Sequence, residues 1–367
     1  MPVKRLEKEG IDRARQFSTP PKTDTAFWHN ALEAAGEKIR KNIPVFGNRY
    51  PAPASERNVY PLIDNTKWTS AFWPGMLWLA WMSTGNDEFR WAAESYLPDF
   101  QSRLENRVAV DTQNLGFIYN LSCITPWRLT GDVGAKDTAL KAANLLMKQG
   151  SITNSLNLSL LFWATEVTGN PYYRDAAEQH LGNVNHTRIQ RDWATIPGKA
   201  LMDKLPQSPS EEFCWSQAQA WAMYGNILAY RYTHHPEYLE TAWGLSSYFL
   251  NRLPNDLVAY WNLEICKGQE PRDSSASAIA VCALQELGAA LPLAKNEHWL
   301  FENAALHIMV SLIKSYTTAA TPESTGLLLH GAYNIFLNEG VDECVIFGDY
   351  FYIEALARIC RGWHPCW

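Results

Sequence analysis

The stretch Thr168-Gly169-Asn170-Pro171-Tyr172-Tyr173 contains the signals that end one helix and begin another. Glycine readily adopts the left-handed backbone conformation that closes a helix, and an asparagine side chain caps the helix that follows. Proline is favoured in the first turn of a helix, and the two tyrosines supply apolar surface for packing. The stretch therefore predicts a tight turn between two helices.

The same turn pattern recurs elsewhere in the chain. Thr84-Gly85-Asn86-Asp87 and Thr130-Gly131-Asp132 repeat the order of threonine, glycine and capping residue, and His234-His235-Pro236-Glu237 is a degenerate copy. A recurring helical turn is typical of stacked helical hairpins, and no linker interrupts the pattern. We expect a closed toroid of helix pairs whose inner helices line a central pocket.

Hydrophobic periodicity supports the helical prediction, because apolar residues recur at three- and four-residue spacing in several segments. These segments are Phe72–Met82, Thr138–Met147, Leu156–Thr168, Gln217–Tyr232, Thr241–Leu253, Ser277–Leu287, Phe301–Tyr316 and Tyr350–Cys360. Alternation typical of a strand is confined to short pieces such as Val258–Glu264. We expect residues 1–25 to form an N-terminal arm, residues 26–367 a single domain, and residues 183–212 a long loop within it.

Composition limits the classes of function. The chain has 367 residues, of which 47% are apolar and 19% charged, and a net charge of −6 with scattered basic residues. This favours a large buried core and argues against a nucleic-acid groove or an anionic membrane surface. The apolar stretches are too short to span a membrane, and the N-terminal sequence lacks the apolar region of a signal peptide. We expect a cytoplasmic protein with a small-molecule ligand, in an oligomeric state that the sequence does not fix.

Two residue types are notable in their number. Seven cysteines, an odd number without a C-x-x-C pair, are expected to be reduced thiols, and no cysteine and histidine cluster has metal-ligand spacing. The 16 tryptophans and 16 tyrosines exceed ordinary usage, and the tryptophans cluster around Trp68–Trp81 and Trp215–Trp221. Such clusters either pack helices together or form the wall of a cavity for a ring-shaped ligand.

The residues around Trp68 resemble those of a known family. Asp64-Asn65-Thr66-Lys67-Trp68-Thr69, followed by Phe72-Trp73-Pro74-Gly75 and Leu77-Trp78, is similar to D-N-T-x-W-T-x-G-F-W-x-G-x-L-W of the unsaturated glucuronyl hydrolases, glycoside hydrolase family 88. The likeness runs from about Trp28 to the C-terminus through Leu115–Tyr119, Gln219–Trp221, Tyr260-Trp261, Pro271–Ala278 and Phe347–Tyr352. The resemblance implies an (α/α)6 barrel of helical hairpins, without a metal or an organic cofactor.

The positions that the resemblance assigns to catalysis differ in this chain. The family's first essential aspartate precedes Leu-Gly-Phe, where this chain has Asn114. Its second opens the pattern D-x-L-L-N-x-x-L-L, which we match to the segment from Asn154, and the arginine of W-x-R-G-Q-A-W becomes Gln217. The family's reaction hydrates the vinyl ether of a 4,5-unsaturated uronic acid, with a carboxyl group that protonates the double bond and then activates water. An amide has no titratable proton and performs neither step.

Each candidate residue also has a structural interpretation. Asn114, Asn154 and Gln217 are the predicted catalytic residues, which donate hydrogen bonds to a ligand; alternatively, the asparagines cap inner helices and Gln217 is a tolerated change. The predicted substrate-binding residues, each of which could instead be a core or turn residue, are Trp68, Trp73, Trp215, Trp221 and His330. The carboxyl groups left open as replacement acids are those of Asp111, Asp273 and Asp349, and the last two are expected to cap helices.

These differences lead to a functional expectation. We expect a non-hydrolytic, cofactor-independent enzyme of the isomerase, cyclase or lyase type, which uses the aromatic pocket to orient a largely apolar molecule in secondary metabolism. Two alternatives stay open. One is an unsaturated glucuronyl hydrolase with a relocated acid, and the other is a non-catalytic protein that binds a carbohydrate or a partner.

Overall fold

The structure is a computed structural model that describes residues 8–150, 152–190, 192–196, 213–361 and 366–367. In chain order its α-helices are α1 (Ala14–Phe17), α2 (Thr25–Phe46), α3 (Phe72–Thr84), α4 (Asp87–Glu105), α5 (Leu115–Tyr119), α6 (Thr125–Thr130), α7 (Val133–Leu146), α8 (Ser159–Thr168), α9 (Pro171–Arg188), α10 (Ser216–Thr233), α11 (Pro236–Asn251), α12 (Ser274–Ala290), α13 (Asn296–Ser315) and α14 (Ile346–Arg361). The antiparallel strand pairs are β1 (Tyr50–Pro51) with β2 (Leu62–Ile63), and β3 (Gly331–Asn334) with β4 (Glu339–Glu343). A π-helical segment, Asn120–Ile124, joins α5 to α6, and a 3-10 turn, Ser155–Leu158, leads into α8.

The helices form two concentric rings. In the described chain, the inner ring consists of α3, α5 with α6, the 3-10 turn with α8, α10, α12 and α14, and each member packs against the next until α14 returns to α3. The helices α2, α4, α7, α9, α11 and α13 alternate with them along the chain and cover the outside. This is the (α/α)6 barrel that the sequence predicts, and the all-α class is confirmed.

The repeated turns have the predicted geometry. Left-handed φ values of 71°, 79° and 70° occur at Gly85, Gly131 and Gly169. In each copy the next polar residue caps the following helix, as Asn170 does by accepting a hydrogen bond from the backbone N–H of Tyr172 at 3.1 Å. His234 takes the place of the glycine in the degenerate copy, with a φ of 55°. The turns therefore set the alternation between inner and outer helices.

Two local predictions are wrong. Val258–Glu264 is not a strand, because it makes single bridges to two separate partners, Tyr260 to Arg272 and Asn262 to Trp215. The loop expected at 183–212 starts later, since α9 continues to Arg188 on the outside of the barrel, where polar residues face water. Within that stretch, residues 191 and 197–212 lie outside the described residues. The division into an arm and one domain stays a prediction.

Two inner glycines allow very close packing at one end of the barrel. A Cβ atom on Gly116 would overlap the backbone of Asn157, and one on Gly225 would overlap Ser155. Asn157 is fully buried, and its Oδ1 accepts a hydrogen bond from the backbone N–H of Phe117 at 3.0 Å. These contacts therefore hold three segments together: the first turn of α5, the 3-10 turn and the middle of α10.

A buried carboxyl group links α14 to the loops beside it. Asp349 is fully buried; its Oδ1 accepts a hydrogen bond from the backbone N–H of Leu328 at 2.8 Å, and its Oδ2 accepts one from the Tyr60 hydroxyl at 2.9 Å. Burial raises the pKa of Asp349 to about 7, although these hydrogen bonds and the charge of Lys38 act in the opposite direction. The carboxyl group thus serves the fold and makes its stability depend on pH.

The close approach of α5 to the 3-10 turn gives a test of the packing. We expect Gly116→Ala to lower the free energy of unfolding by about 3 kcal/mol, because the added methyl group meets backbone that cannot move aside. Gly182→Ala is the matched control, since no atom approaches its Cβ position within α9, and it should raise stability by about 0.5–1 kcal/mol. Urea unfolding measures both. Equal urea midpoints for Gly116→Ala and Gly182→Ala would show that α5 does not lie against the backbone of Asn157.

The buried carboxyl of Asp349 predicts a pH dependence of stability. The pKa of Asp349 is about 7 in the folded protein, against an ordinary value of 3.8. Between these two pH values folding takes up a proton, so the free energy of unfolding falls as the pH rises through this range. The loss approaches about 1.4 kcal/mol per pH unit for one proton. Asp349→Asn should therefore flatten the fall in unfolding free energy between about pH 4 and 7. Exposed Asp137→Asn is the control, and a slope in Asp349→Asn identical to that of the wild type would contradict the assignment.

Candidate active-site cavity

A cavity of about 490 Å³ opens at one end of the barrel. Its lining comes from the beginnings of inner helices, the last turns of α9 and the β3–β4 hairpin. The residues are Trp68, Gln113, Asn114, Phe117, Thr153, Asn154, Ser155, Val184, Arg188, Thr195, Ile196, Trp215, Gln217, Ala218, Trp221, Ala222, Tyr333, Asn334 and Phe347. The structure therefore brings together most of the predicted site residues at the point where the first turns of α5, α10 and α14 converge.

The apolar part of the cavity is aromatic. The ring of Trp68 stacks on Phe347 with the centroids 5.6 Å apart, and it lies 5.1 Å from the ring of Phe117. Trp221 contacts the same two rings, at 5.0 Å and 5.5 Å. The indole N–H of Trp68 also donates to the hydroxyl of Tyr333 at 3.4 Å. The packing fixes these rings in place while leaving part of their surface in the cavity, which suits a ring-shaped ligand.

Three asparagines lie where the start of α5 meets the 3-10 turn, and Asn157 links the two. Asn157 Nδ2 donates to Asn114 Oδ1 at 3.3 Å, and Asn154 Oδ1 accepts a hydrogen bond from the backbone N–H of Leu156 at 3.1 Å. Asn154 is therefore a helix cap, whereas Asn114 makes no capping bond with its side chain. Within the described chain, the Nδ2 groups of Asn114 and Asn154 have no partner, so each offers N–H donors to a ligand.

Gln217 lines the cavity with its amide nitrogen turned away. Its Nε2 lies 2.6 Å from the backbone oxygen of Ala332, 3.0 Å from Asp273 Oδ2 and 3.3 Å from Ser275 Oγ. An amide nitrogen carries two hydrogens, and these contacts leave none of them for a ligand. The geometry therefore does not support the prediction that Gln217 donates to a ligand. Its amide instead ties β3 to the beginnings of α10 and α12.

Asp273, which lies behind Gln217, is a helix cap. It is fully buried, and its Oδ1 accepts hydrogen bonds from the backbone N–H of Ala276 at 3.1 Å and from Ser275 Oγ at 2.5 Å. Burial raises the pKa of Asp273 to about 6, against the effect of these hydrogen bonds and of the one from Gln217. The carboxyl forms no part of the cavity surface, so the capping role expected from the sequence agrees with the structure.

Two predicted binding residues lie outside the cavity. Trp73 is buried, and its indole N–H donates to the hydroxyl of Tyr96 at 2.9 Å, because this face of α3 packs against α4. His330 Nδ1 is 2.5 Å from a carboxylate oxygen of Asp342, in a pair that is largely exposed. Neither side chain reaches the rings of the cavity, and the core and turn interpretations fit them.

Sequence reasoning missed several lining residues. Arg188 ends α9, and Tyr333 belongs to β3, where the sequence offered no pattern of its own. A basic residue in the last turn of a helix is the one signal that could have drawn attention to Arg188. Among the described residues that line the cavity there is no carboxyl or imidazole group, and Asp111 and Asp349 lie elsewhere.

The opposite end of the inner helices holds a larger cavity, of about 670 Å³. Its charges are already paired, since Glu286 accepts hydrogen bonds from Arg231 at 3.2 Å and from Arg358 at 2.9 Å.

The described residues contain no group of three or more side chains able to hold a metal ion. All seven cysteines are free thiols. Among the helices that the structure describes, none has the length and hydropathy required to cross a membrane.

Comparison with known proteins gives a consistent relationship over the whole chain. No family model matches the sequence. The chain is 35% identical over 399 residues to an unsaturated chondroitin disaccharide hydrolase of Streptococcus pyogenes serotype M1, with 100% of this chain and 99% of that protein covered. It matches the crystal structure of an unsaturated glucuronyl hydrolase from Streptococcus agalactiae with a TM-score of 0.94 and 35% identity over 100% of both chains. A variant of that enzyme with an asparagine in place of an aspartate, complexed with dGlcA-GalNAc6S, gives the same values.

These similarities correct the expected function. A non-hydrolytic isomerase or cyclase for an apolar molecule is contradicted, because the relatives that match along the whole chain are hydrolases of unsaturated glucuronyl compounds. That expectation relied on the amides at Asn114 and Asn154 and gave too little weight to the retained cavity. With this identity over its full length, the chain belongs to the unsaturated glucuronyl hydrolase family, glycoside hydrolase family 88.

Proposed function

We propose that the protein hydrolyses unsaturated glucuronyl disaccharides of glycosaminoglycans and binds them in the cavity at the start of the inner helices. The observation that carries the proposal is a rigid aromatic surface beside unpartnered amide donors, in a chain whose full-length relatives are hydrolases of such disaccharides. The complex of a relative with dGlcA-GalNAc6S supports a carbohydrate as the ligand. A volume of about 490 Å³ lies within the range of small-molecule sites.

The shape of the cavity suits a sugar ring. The faces of Trp68 and Trp221 offer apolar surface against which the C–H groups of a pyranose pack, and burial of that surface from water favours binding. The Nδ2 groups of Asn114 and Asn154 can donate to ring substituents, which are rich in acceptor oxygens. Aromatic stacking and amide donors together recognise a polar ring more specifically than an apolar molecule.

The backbone contributes favourable electrostatics for an acidic sugar. The first turns of α10 and α14 reach the cavity, and the N-terminus of a helix carries a partial positive charge. This field favours a ligand that carries a carboxylate. Because the field acts on any anion in the cavity, it supports an acidic sugar as the ligand but does not identify which uronic acid binds.

Hydrolysis requires a proton donor, and the described cavity lining contains no carboxyl group that could serve as one. Counted back from Leu160-Leu161 without a gap, the family pattern places its second acid at Thr153, whereas a one-residue deletion places it at Asn154. Both residues line the cavity and neither has a titratable carboxyl group. This observation favours a second candidate, a protein that binds the disaccharide without hydrolysing it.

One experiment separates the two candidates. We expect an unsaturated chondroitin disaccharide to lose its ultraviolet absorbance on incubation with the protein, in proportion to protein concentration, because hydration removes the conjugated double bond. Trp68→Ala should weaken binding by about tenfold through loss of the stacking surface. Exposed Trp91→Ala is the matched control and should behave as the wild type.

Absorbance and calorimetry are read on the same samples. Binding without loss of absorbance would favour the second candidate, and the absence of both would reject the proposal that the cavity is a site for these disaccharides.

Asn114 offers a test of how the reaction depends on an acid. We expect Asn114→Asp to raise kcat/KM for the unsaturated disaccharide by about tenfold or more, since general acid–base catalysis contributes roughly 10² to 10⁴ and the added carboxyl stands in the cavity. Asn170→Asp makes the same chemical change at a helix cap away from the cavity and should leave the rate unchanged. Equal rates for both variants and the wild type would place the reacting bond away from Asn114.

A further inference from the structure

Arg188 is held at the cavity wall by the backbone. It is the last residue of α9, and its carbonyl oxygen accepts a hydrogen bond from the backbone N–H of Ile196 at 2.8 Å. Ile189 and Thr195 form a bridge immediately beyond it. The chain therefore folds back on itself at this point, and Arg188, Thr195 and Ile196 all line the cavity.

The charge of Arg188 has no counter-charge in the described chain. Its guanidinium makes no hydrogen bond or ion pair with the described residues, and none of the other described lining side chains is charged at neutral pH. Burial lowers the pKa of Arg188 without any carboxylate that acts in the opposite direction. An arginine nevertheless stays protonated in proteins, so an unbalanced positive charge lies half-buried at the cavity.

An unpaired cation beside the first turns of α10 and α14 creates a positive potential that none of the described lining residues neutralises. A surface arginine would be balanced by water and salt, but a half-buried one loses part of its hydration. The other described polar side chains do not supply negative charge, since Asn114, Asn154 and Gln217 carry neutral amides. The missing charge is therefore expected on the ligand.

We propose that Arg188 binds the anionic group of the ligand, a carboxylate or a sulfate that accepts two parallel N–H hydrogen bonds from the guanidinium. Arg188 would then decide that the cavity takes charged disaccharides rather than neutral ones. A planar guanidinium matches both carboxylate and sulfate oxygens, so the chemistry is shared and the source of the anion is left to the measurement. This inference rests on the proposed function and adds its specificity-determining residue.

The test compares three ligands by isothermal titration calorimetry. They are the unsulfated unsaturated chondroitin disaccharide, its 6-sulfated form, and the methyl ester of the unsulfated form, which carries no charge. We expect the wild-type protein to prefer the charged ligands, and Arg188→Gln to weaken their binding by at least about tenfold while the ester changes little. Arg188→Lys should keep part of the affinity because it restores a point charge without the planar fork.

Controls separate this inference from the fold and from the proposed function. Removal of the Arg188 side chain leaves no described partner unsatisfied, so Arg188→Gln should unfold at the wild-type temperature. Arg174→Gln, on the same helix and away from the cavity, should bind all three ligands as the wild type does.

Each outcome decides one question. Weaker binding of both charged ligands by Arg188→Gln assigns the carboxylate, and weaker binding of the sulfated one alone assigns the sulfate. Equal binding of the charged ligands by Arg188→Gln and the wild type overturns the inference and leaves the proposed function intact. A wild-type protein that binds none of the three ligands rejects the proposed function itself.

Discussion

The contact between Gly116 and the backbone of Asn157 determines the geometry of the whole cavity. Without a Cβ atom on Gly116, the start of α5 lies directly against the 3-10 turn, and the Asn157 side chain bonds to both Phe117 and Asn114. Asn114 and Asn154 face the same space because their helices are fixed to each other at this point. A larger separation would open the barrel here and leave the amides without a common ligand. The positions of the side chains that line the cavity therefore depend on this close packing of the backbone.

The sequence predicts the architecture well because its signals are local. The turn at Gly169 needs only a left-handed residue and a cap within a few positions, and both are present in the structure. Apolar periodicity does not single out the outer helices α2, α4 and α9, since their exposed faces dilute it with polar residues; only the turn signals predict that α4 and α9 begin where they do. Trp68 and Trp73 show the same limit for the site. They are close in sequence, but Trp68 lies in the turn before α3 with its ring at the cavity, whereas Trp73 lies on α3 and packs against α4 in the core.

The least predictable part of the site is its charge. Arg188 reaches the cavity from an outer helix, and its neighbours in the sequence give no hint of the residues it faces. Conversely, Asp273 and Asp349 read as possible acids, yet burial and hydrogen bonds make them parts of the scaffold. The protonation of a carboxyl depends on desolvation and on contacts made by distant segments. A sequence shows which groups can carry charge, whereas their surroundings in the fold determine whether that charge meets a ligand.

The amide nitrogen of Gln217, which points away from the cavity, has a consequence for how this site tolerates substitution. One nitrogen joins the β3 backbone at Ala332 to the cap at Asp273, so position 217 belongs to the supporting structure as well as to the cavity surface. A cation introduced there would meet a buried carboxyl before it met a sugar. Substitutions at Gln217 and Asp273 should therefore be non-additive, since their side chains share a hydrogen bond. A change at position 217 therefore alters the support of the β3 backbone together with the cavity surface, and its effect on ligand binding cannot be separated from its effect on the shape of the cavity.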